Sequence, residues 1–341
     1  MLRSKGHKIS AKEAEAVAIG ILLHDIGHGP YSHTLENCLI PGVSHEFLSE
    51  MFMEKLNKQY KGRLSLAIEI FENRYRKKFL HQLISSQLDV DRLDYLKRDS
   101  FFTGVQEGVI SHDRIIKMLE LKDDKIVVEE KGIYSIEKFL VARRLMYWQV
   151  YLHKTVLVAE NLLVHILKRA KELSEKKIHV PASKPLEFFL RKNVTKKMFL
   201  ESDEPLENFA RLDDIDMMSG VKAWTTHRDK ILSLLCKKLL ERKLLKIEMK
   251  NEPFSAGRIE RLKKEVKERY GLAHHEDAGY FVFTSSTSNS AYNPEKGSIN
   301  ILYKDGSLKD VAKASDQLNI SVLSAPVTKY FLCYPKEFSI S

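Results

Sequence analysis

Residues 22–33 read LLHDIGHGPYSH. His24, Asp25, His28 and His33 follow directly on the apolar run AVAIGILL (16–23), and Gly27, Gly29 and Pro30 then break the helical pattern. A carboxylate at the apolar end of a helix is costly unless it is paired or bound to a metal. A neutral imidazole beside a carboxylate suits a divalent first-row cation. A lone histidine is ordinarily a hydrogen-bonded core residue. Here four of the 13 histidines (His24, His28, His33, His45) fall within 22 residues, beside Asp25, and the cluster favours a site.

Working outward, residues 11–26 read as a helix, with Ser10 as N-cap and Glu13 placed for a capping box. SHEFLSEMFMEKLNK (44–58) reads as another, capped by Ser44, and RLSLAIEIFEN and KKFLHQLISSQ continue the helical pattern. In QLDVDRLDYLKRDS (87–100), Asp91 and Tyr95 share a helix face at i, i+4, and Asp99 extends it by a turn. Such charge alternation usually marks a salt-bridged surface helix. Leu88, Val90, Leu93 and Leu96 give this one apolar partners as well, so part of it is buried.

Beyond, DKIVVEEKGIYSI (124–136) changes to an alternating, β-branched pattern that predicts a β-hairpin turning at Lys131–Gly132. A single long helix is expected from about 137 to 175, then a linker at VPASKP (180–185). Helices are expected at 206–222, 226–242 and 256–270, and strands in KLLKIEM, GYFVFT, GSINILY and VTKYFLCYP. The expected architecture is mainly α: a helical domain over 1–180 with a small β-hairpin, followed by an α+β region over 185–341 for oligomerisation or regulation.

The bulk composition is consistent with an ordered globular protein: 341 residues, 43% hydrophobic, 30% charged, 15 Gly and 9 Pro. No apolar run reaches membrane-spanning length, and the first residues lack the apolar segment of a secretion signal. Three dispersed cysteines favour a reducing compartment, so a cytoplasmic location is expected. The net charge of +10 admits a polyanionic partner. Stretches such as GRIERLKKEVKER (257–269) place much of it on solvated helix faces, so nucleic acid is only weakly supported.

HDIGHGPYSH together with LDVDRLDYLKRD closely resembles the HD-domain metal-dependent phosphohydrolases. The nearest branch is similar to the dNTP triphosphohydrolases, including those that join a SAM to an HD domain, and to related bacterial HD phosphohydrolases. The likeness runs over residues 10–160, including ARRLMYWQVYLHKT (142–155). It implies an HD helical bundle and a divalent metal (Mn, Mg, Fe, Co, Ni or Zn) held by His24, Asp25 and Asp91. It implies catalytic or phosphate-facing roles for His28, His33 and His45, with Glu36 orienting His28. Arg92, Tyr95, Asp99, Arg143 and Tyr151 match substrate-binding positions. The implied reaction is hydrolysis of a dNTP to deoxynucleoside and triphosphate, in a homo-oligomer that in some members takes an allosteric nucleotide.

The family's first metal-binding histidine lies on a helix well before the HD pair, whereas only 23 residues precede His24. His7, in SKGHKIS, has a loop-like context, and the chain reads as truncated ahead of that helix. Two alternatives stay open: an HD phosphohydrolase acting on a monophosphate, cyclic dinucleotide or (p)ppGpp, and a weakly active nucleotide- or nucleic-acid-binding protein. The basic run RYRKK (74–78) favours the latter.

Overall fold

The computed structural model describes residues 1–32, 38–290, 292–294, 297–315 and 326–338. Helix α1 (Ala11–Leu23) starts at the expected capping box: Ser10 Oγ accepts from Glu13 N, and the Glu13 carboxylate accepts from Ser10 N. Helices α2 (His45–Gln59), α3 (Ser65–Phe71), α4 (Lys78–Ile84), α5 (Val90–Thr103) and α6 (His112–Met118) follow. Ser44 caps α2 through its hydroxyl, 3.3 Å from Phe47 N. Asp89 caps α5 through Arg92 N at 2.8 Å.

The expected hairpin is present but turns elsewhere. Strands β1 (Leu119–Lys122) and β2 (Lys125–Glu129) are antiparallel, with Leu121 opposite Ile126. The turn is Asp123–Asp124, both at positive φ (52° and 57°), which a two-residue hairpin loop requires and aspartate tolerates. Gly132 instead lies in a 3-10 turn, where a Cβ would come within 2.5 Å of Val128 and 2.9 Å of Met118. That glycine serves packing, not a hairpin turn.

The single helix expected over 137–175 is two. Helix α7 (Ile133–Met146) passes into a π-helical turn, Tyr147–Tyr151, and helix α8 starts afresh at Lys154 and runs to Glu175. The i→i+5 bond from Leu152 N to Tyr147 O, 2.7 Å, marks the extra residue. Apolar periodicity counts residues and cannot register one such insertion.

Helices α9 (Lys184–Arg191), α10 (Lys196–Glu201), α11 (Glu204–Ala210), α12 (Asp214–Trp224) and α13 (Lys230–Leu240) follow. Then come β3 (Lys246–Lys250), α14 (Ala256–Tyr270), β4 (Phe283–Asn289), β5 (Asn300–Leu302), β6 (Leu308–Asp310) and β7 (Val327–Tyr334). The strand expected in GYFVFT begins later, at Phe283, because Glu276–Tyr280 coils into a 3-10 helix.

The chain forms two compact units that interleave along the sequence. One comprises Met1–Asp25, Phe52–His153 and Ser288–Val327; the other comprises Ile26–Met51, Lys154–Thr287 and Thr328–Ser341. The first unit packs α1 and α3–α7 around Ile68, Leu80, Leu96, Ile115, Phe139 and Leu140, all 1% exposed or less. Against them lies a sheet in the order β1-β2-β5-β6, in which β2 and β5 are parallel and Val128 lies opposite Ile301. The second unit is organised on α8, whose apolar stripe of Leu162, Ile166 and Leu167 is buried. It also holds the sheet β3-β7-β4, and the Trp224 indole N–H donates to the Pro181 carbonyl at 2.7 Å.

Candidate metal and phosphate site

His24 is the C-cap of α1. Its Nδ1–H donates to the Ile21 carbonyl, 2.7 Å away, which fixes the tautomer and turns the Nε2 lone pair outward. Nε2 lies 3.2 Å from Asp25 Oδ2 and 3.9 Å from Asp91 Oδ1. The side chains converge because Asp25 follows α1 directly and Asp91 stands in the first turn of α5. One ligand atom from each lies within 4.8 Å of the other two. The Asp91 carboxylate, with Asp25 and the Ile21 carbonyl, raises the His24 imidazole to about 8 against the opposing effect of burial. One imidazole and two carboxylates, with the imidazole tautomer preset by a backbone carbonyl, fit a divalent first-row cation.

His7 does not join this group. Its Nε2 pairs with Glu120, beside a Lys5–Glu129 ion pair. The RYRKK run is also partly neutralised: Arg74 pairs with Glu72, Lys77 with Glu13 at 2.8 Å, and Lys78 Nζ donates to the Asn73 carbonyl.

The phosphate-binding candidates lie in the same unit. Arg143 on α7 is buried, 9% exposed, and its Nη1 donates to Gln87 Oε1 at 3.1 Å. Among the described residues no carboxylate lies within ion-pair distance of it, and its Nε is buried without a hydrogen-bond partner. A buried guanidinium so placed is an uncompensated charge that an anion would relieve. Arg92 differs from expectation, since its Nη1 is bound to the Asp89 carboxylate while its Nε is buried and unpartnered.

Tyr95 and Asp99 lie one turn apart on α5, as the spacing predicts, and Tyr151 of the π-turn joins them. The Tyr151 hydroxyl donates to Asp99 Oδ2 at 2.7 Å, and the Tyr95 and Tyr151 rings meet edge to face at 5.9 Å. Tyr147 packs on Tyr151 at 5.1 Å, and the Arg143 guanidinium carbon lies 5.9 Å from the Tyr147 ring centroid. The π-turn carries two of the cluster's three tyrosines, Tyr147 and Tyr151. Burial, followed by the Asp99 carboxylate, raises the Tyr151 phenol well above its ordinary range, so it remains a hydrogen-bond donor.

In the second unit, the His28 and His45 rings stack with centroids 4.0 Å apart and planes 15° from parallel. Gly27 makes close approach possible there: its N–H donates to Ser49 Oγ at 2.9 Å, and a Cβ would come within 2.1 Å of the His45 carbonyl oxygen. His33 and Glu36 lie outside the described residues.

Two residues escaped the sequence reading. Asp89, 1% exposed, caps α5 and holds Arg92; its position three residues before Arg92, at a helix start, was a legible signal. Gln87 gave none, because its role depends on Arg143, 56 residues later.

Two family models match the chain: the HD domain over residues 3–99 and the HD associated region over 110–182. The crystal structure of a phosphohydrolase from Bacteroides thetaiotaomicron is 52% identical and superposes with a TM-score of 0.93, over 98% of this chain and 82% of that one. The uncharacterized protein YwfO of Bacillus subtilis is 31% identical over 342 residues, 95% of this chain and 74% of YwfO. The deoxynucleoside triphosphate triphosphohydrolase SAMHD1 homolog of Dictyostelium discoideum is 27% identical over 164 residues, 43% of this chain and 32% of that protein. The chain belongs to the HD-domain phosphohydrolase superfamily. HD domains bind divalent metal ions, and His24, Asp25 and Asp91 supply a candidate ligand group for one.

Proposed function

We propose that the protein hydrolyses deoxynucleoside triphosphates to deoxynucleoside and triphosphate. The observation that carries this reading is a compact His24–Asp25–Asp91 ligand group in the same unit as Arg143, a buried cation with no carboxylate within ion-pair distance among the described residues. The similarity to the Dictyostelium triphosphohydrolase supports the substrate class.

His24, Asp25 and Asp91 would hold the metal. When bound, such an ion polarises a phosphoryl oxygen and acidifies water. The chain's own residues do the rest. Arg143 offsets phosphate charge with a planar fork suited to two oxygens, and Arg92 adds its remaining donors. Tyr95 and Tyr151 form an aromatic wall for the sugar, with Asp99 fixing the Tyr151 hydroxyl. The resemblance gives His28, His33 and His45 the proton-transfer or phosphate-facing roles, with Glu36 orienting His28.

We extend the proposal to a homo-oligomer with an effector nucleotide. A cavity of about 620 Å³ in the second unit offers Lys154, Arg242, Lys246 and Lys336 around Val158, Leu239 and Ile247, a cationic rim on an apolar floor. No single helix is long and apolar enough to cross a membrane. The proposed division remains an HD domain over 1–180 and an oligomerisation or regulatory region over 185–341.

The test is a panel of dNTPs with Mn, Mg, Fe or Co, scored for triphosphate release. Turnover of at least one dNTP, abolished by Asp25→Ala, is expected. Release of orthophosphate only, or turnover retained in Asp25→Ala, would refute the reading.

A further inference from the structure

A second cavity, of about 250 Å³, lies in the first unit between the α4–α5 connection and the sheet. Its apolar walls are Leu88, Ile126, Val128 and Ile299. Its polar lining is Asn73, His81, Gln82, Ser85, Ser86, Gln87 and Ser298, and none of its described lining residues is Lys, Arg, Asp or Glu.

The lining groups are already committed on one side and available on the other. Gln87 is 7% exposed; its Oε1 accepts from Arg143, leaving the amide NH2 without a described protein partner. Gln82 is similar: its Oε1 accepts from Ile126 N at 2.8 Å, and its NH2 remains. The Ser86 hydroxyl accepts from Leu88 N at 3.1 Å and keeps its proton to donate. In the neutral His81 ring, Nδ1–H donates to the Ile70 carbonyl at 3.0 Å, which leaves Nε2 as an acceptor. The cavity thus presents amide and hydroxyl donors, with acceptors that include His81 Nε2, between aliphatic walls.

That chemistry selects its ligand. A phosphate or carboxylate would meet no cation here, and an ammonium no anion. Ligand cavities run from about 300 to 1,000 Å³ for drug-sized molecules, so this one suits a smaller body than a whole nucleotide. A flat, neutral heterocycle with carbonyl acceptors and a ring N–H matches both volume and lining. We infer that this cavity binds a nucleobase, free or as the base of an uncharged nucleoside, and that Gln87 transmits its occupancy to Arg143.

The transmission is short. Segment 85–88, which lines the cavity, leads directly into Asp89, whose carboxylate accepts from Ser86 N at 3.0 Å and holds Arg92. An occupant bonded to the Gln87 amide therefore acts on the residue that touches Arg143, and one bonded to Ser86 acts next to the α5 cap. The inference about regulation rests on the phosphate role proposed for Arg143, whereas the inference about binding does not.

The experiment is calorimetric titration of the metal-free protein with adenine, guanine, thymine and the four deoxynucleosides, repeated on Ser85→Trp. Ser85 lies at the exposed rim, so the indole can block the mouth without entering the core. Saturable binding by at least one base or nucleoside, weakened about tenfold or more in Ser85→Trp, is expected. A melting curve for Ser85→Trp matching wild type shows the variant folded; should it not match, Ser85→Leu takes its place. Absence of binding by every compound, or binding equally strong in the blocked variant, overturns the inference. Steady-state kinetics with and without the bound base then reads the regulatory half: a change in KM for the phosphorylated substrate is expected, and none in Ser85→Trp. An unchanged wild-type KM overturns the link through Gln87. Failure of the dNTP assay leaves the binding result readable by itself.

Discussion

Replacing Gly27 with alanine tests how the HD segment is built. A Cβ on Gly27 would sit 2.1 Å from the His45 carbonyl oxygen, 2.4 Å from Ser49 N and 2.8 Å from Ser49 Oγ. Ordinary contact begins near 3.4 Å, so the closest pair must separate by about 1.3 Å (3.4 − 2.1), and two of these three atoms are backbone. A backbone obstacle cannot rotate away as a side chain does. Overpacking of this kind costs roughly 1–3 kcal/mol and sometimes more. Displacing the Gly27 N–H from Ser49 Oγ, a buried 2.9 Å bond, adds about 1 kcal/mol. With roughly 2–4 °C per kcal/mol, the melting temperature should fall by roughly 5–15 °C. Circular dichroism melting of Gly27→Ala reads the effect, with Gly257→Ala as control. At Gly257, on helix α14, a Cβ meets nothing within 4 Å, so alanine there should be neutral or stabilising by up to about 1 kcal/mol. A Gly27→Ala protein melting within 2 °C of wild type would show that the close approach imposes no constraint.

Other outcomes follow from individual contacts. Burial raises the Glu13 carboxyl, but Lys77, Ser10 and Tyr75 outweigh it and hold it at about 2 instead of 4.5. This depressed value contributes on the order of 3 kcal/mol, fully present above pH 4.5 and lost as pH falls towards 2; acid unfolding of Glu13→Gln should lack that component, and an unchanged acid limb would refute it. Arg143→Lys keeps the buried charge and loses the fork, so KM for the triphosphate should rise about tenfold with little change in melting; an unchanged KM argues against phosphate contact. Tyr151→Phe removes the bond to Asp99 and should cost about 1.5–3 kcal/mol in chemical denaturation, and a loss below 0.5 kcal/mol would show that the bond contributes little. Cys38, Cys236 and Cys333 are buried, and burial pushes each thiol up to about 12, so thiol reagents should label the native protein slowly and the unfolded protein at all three sites.

Much of the fold was legible because local rules decide it. Ser10 with Glu13, and Ser44 before α2, announce helix starts within four residues, and the structure keeps both. The α5 spacing of Asp91, Tyr95 and Asp99 was likewise readable from helical geometry. What escaped the sequence depends on distant partners or on a single residue of register. The π-turn inserts one residue into a pattern that still reads as helix, and the hairpin turn fell to an Asp–Asp pair while Gly132 drew attention for a packing requirement. Arg92 matched a substrate-binding position by resemblance, and the resemblance says nothing of Asp89, which holds it. His7 read as a loop residue, and the partner that holds it, Glu120, stands 113 residues away.

The central claim is that His24, Asp25 and Asp91 hold a divalent metal. Its most direct test is Mn²⁺ binding to the purified, chelator-stripped protein, measured by calorimetry and checked by metal analysis, beside Asp91→Ala. Changes to groups that merely support metal ligands cost about 10–100-fold in affinity, so loss of a direct ligand should cost at least about a hundredfold. One Mn²⁺ per chain in the wild type and that loss in Asp91→Ala is the predicted result; equal affinity in the two proteins would contradict the assignment.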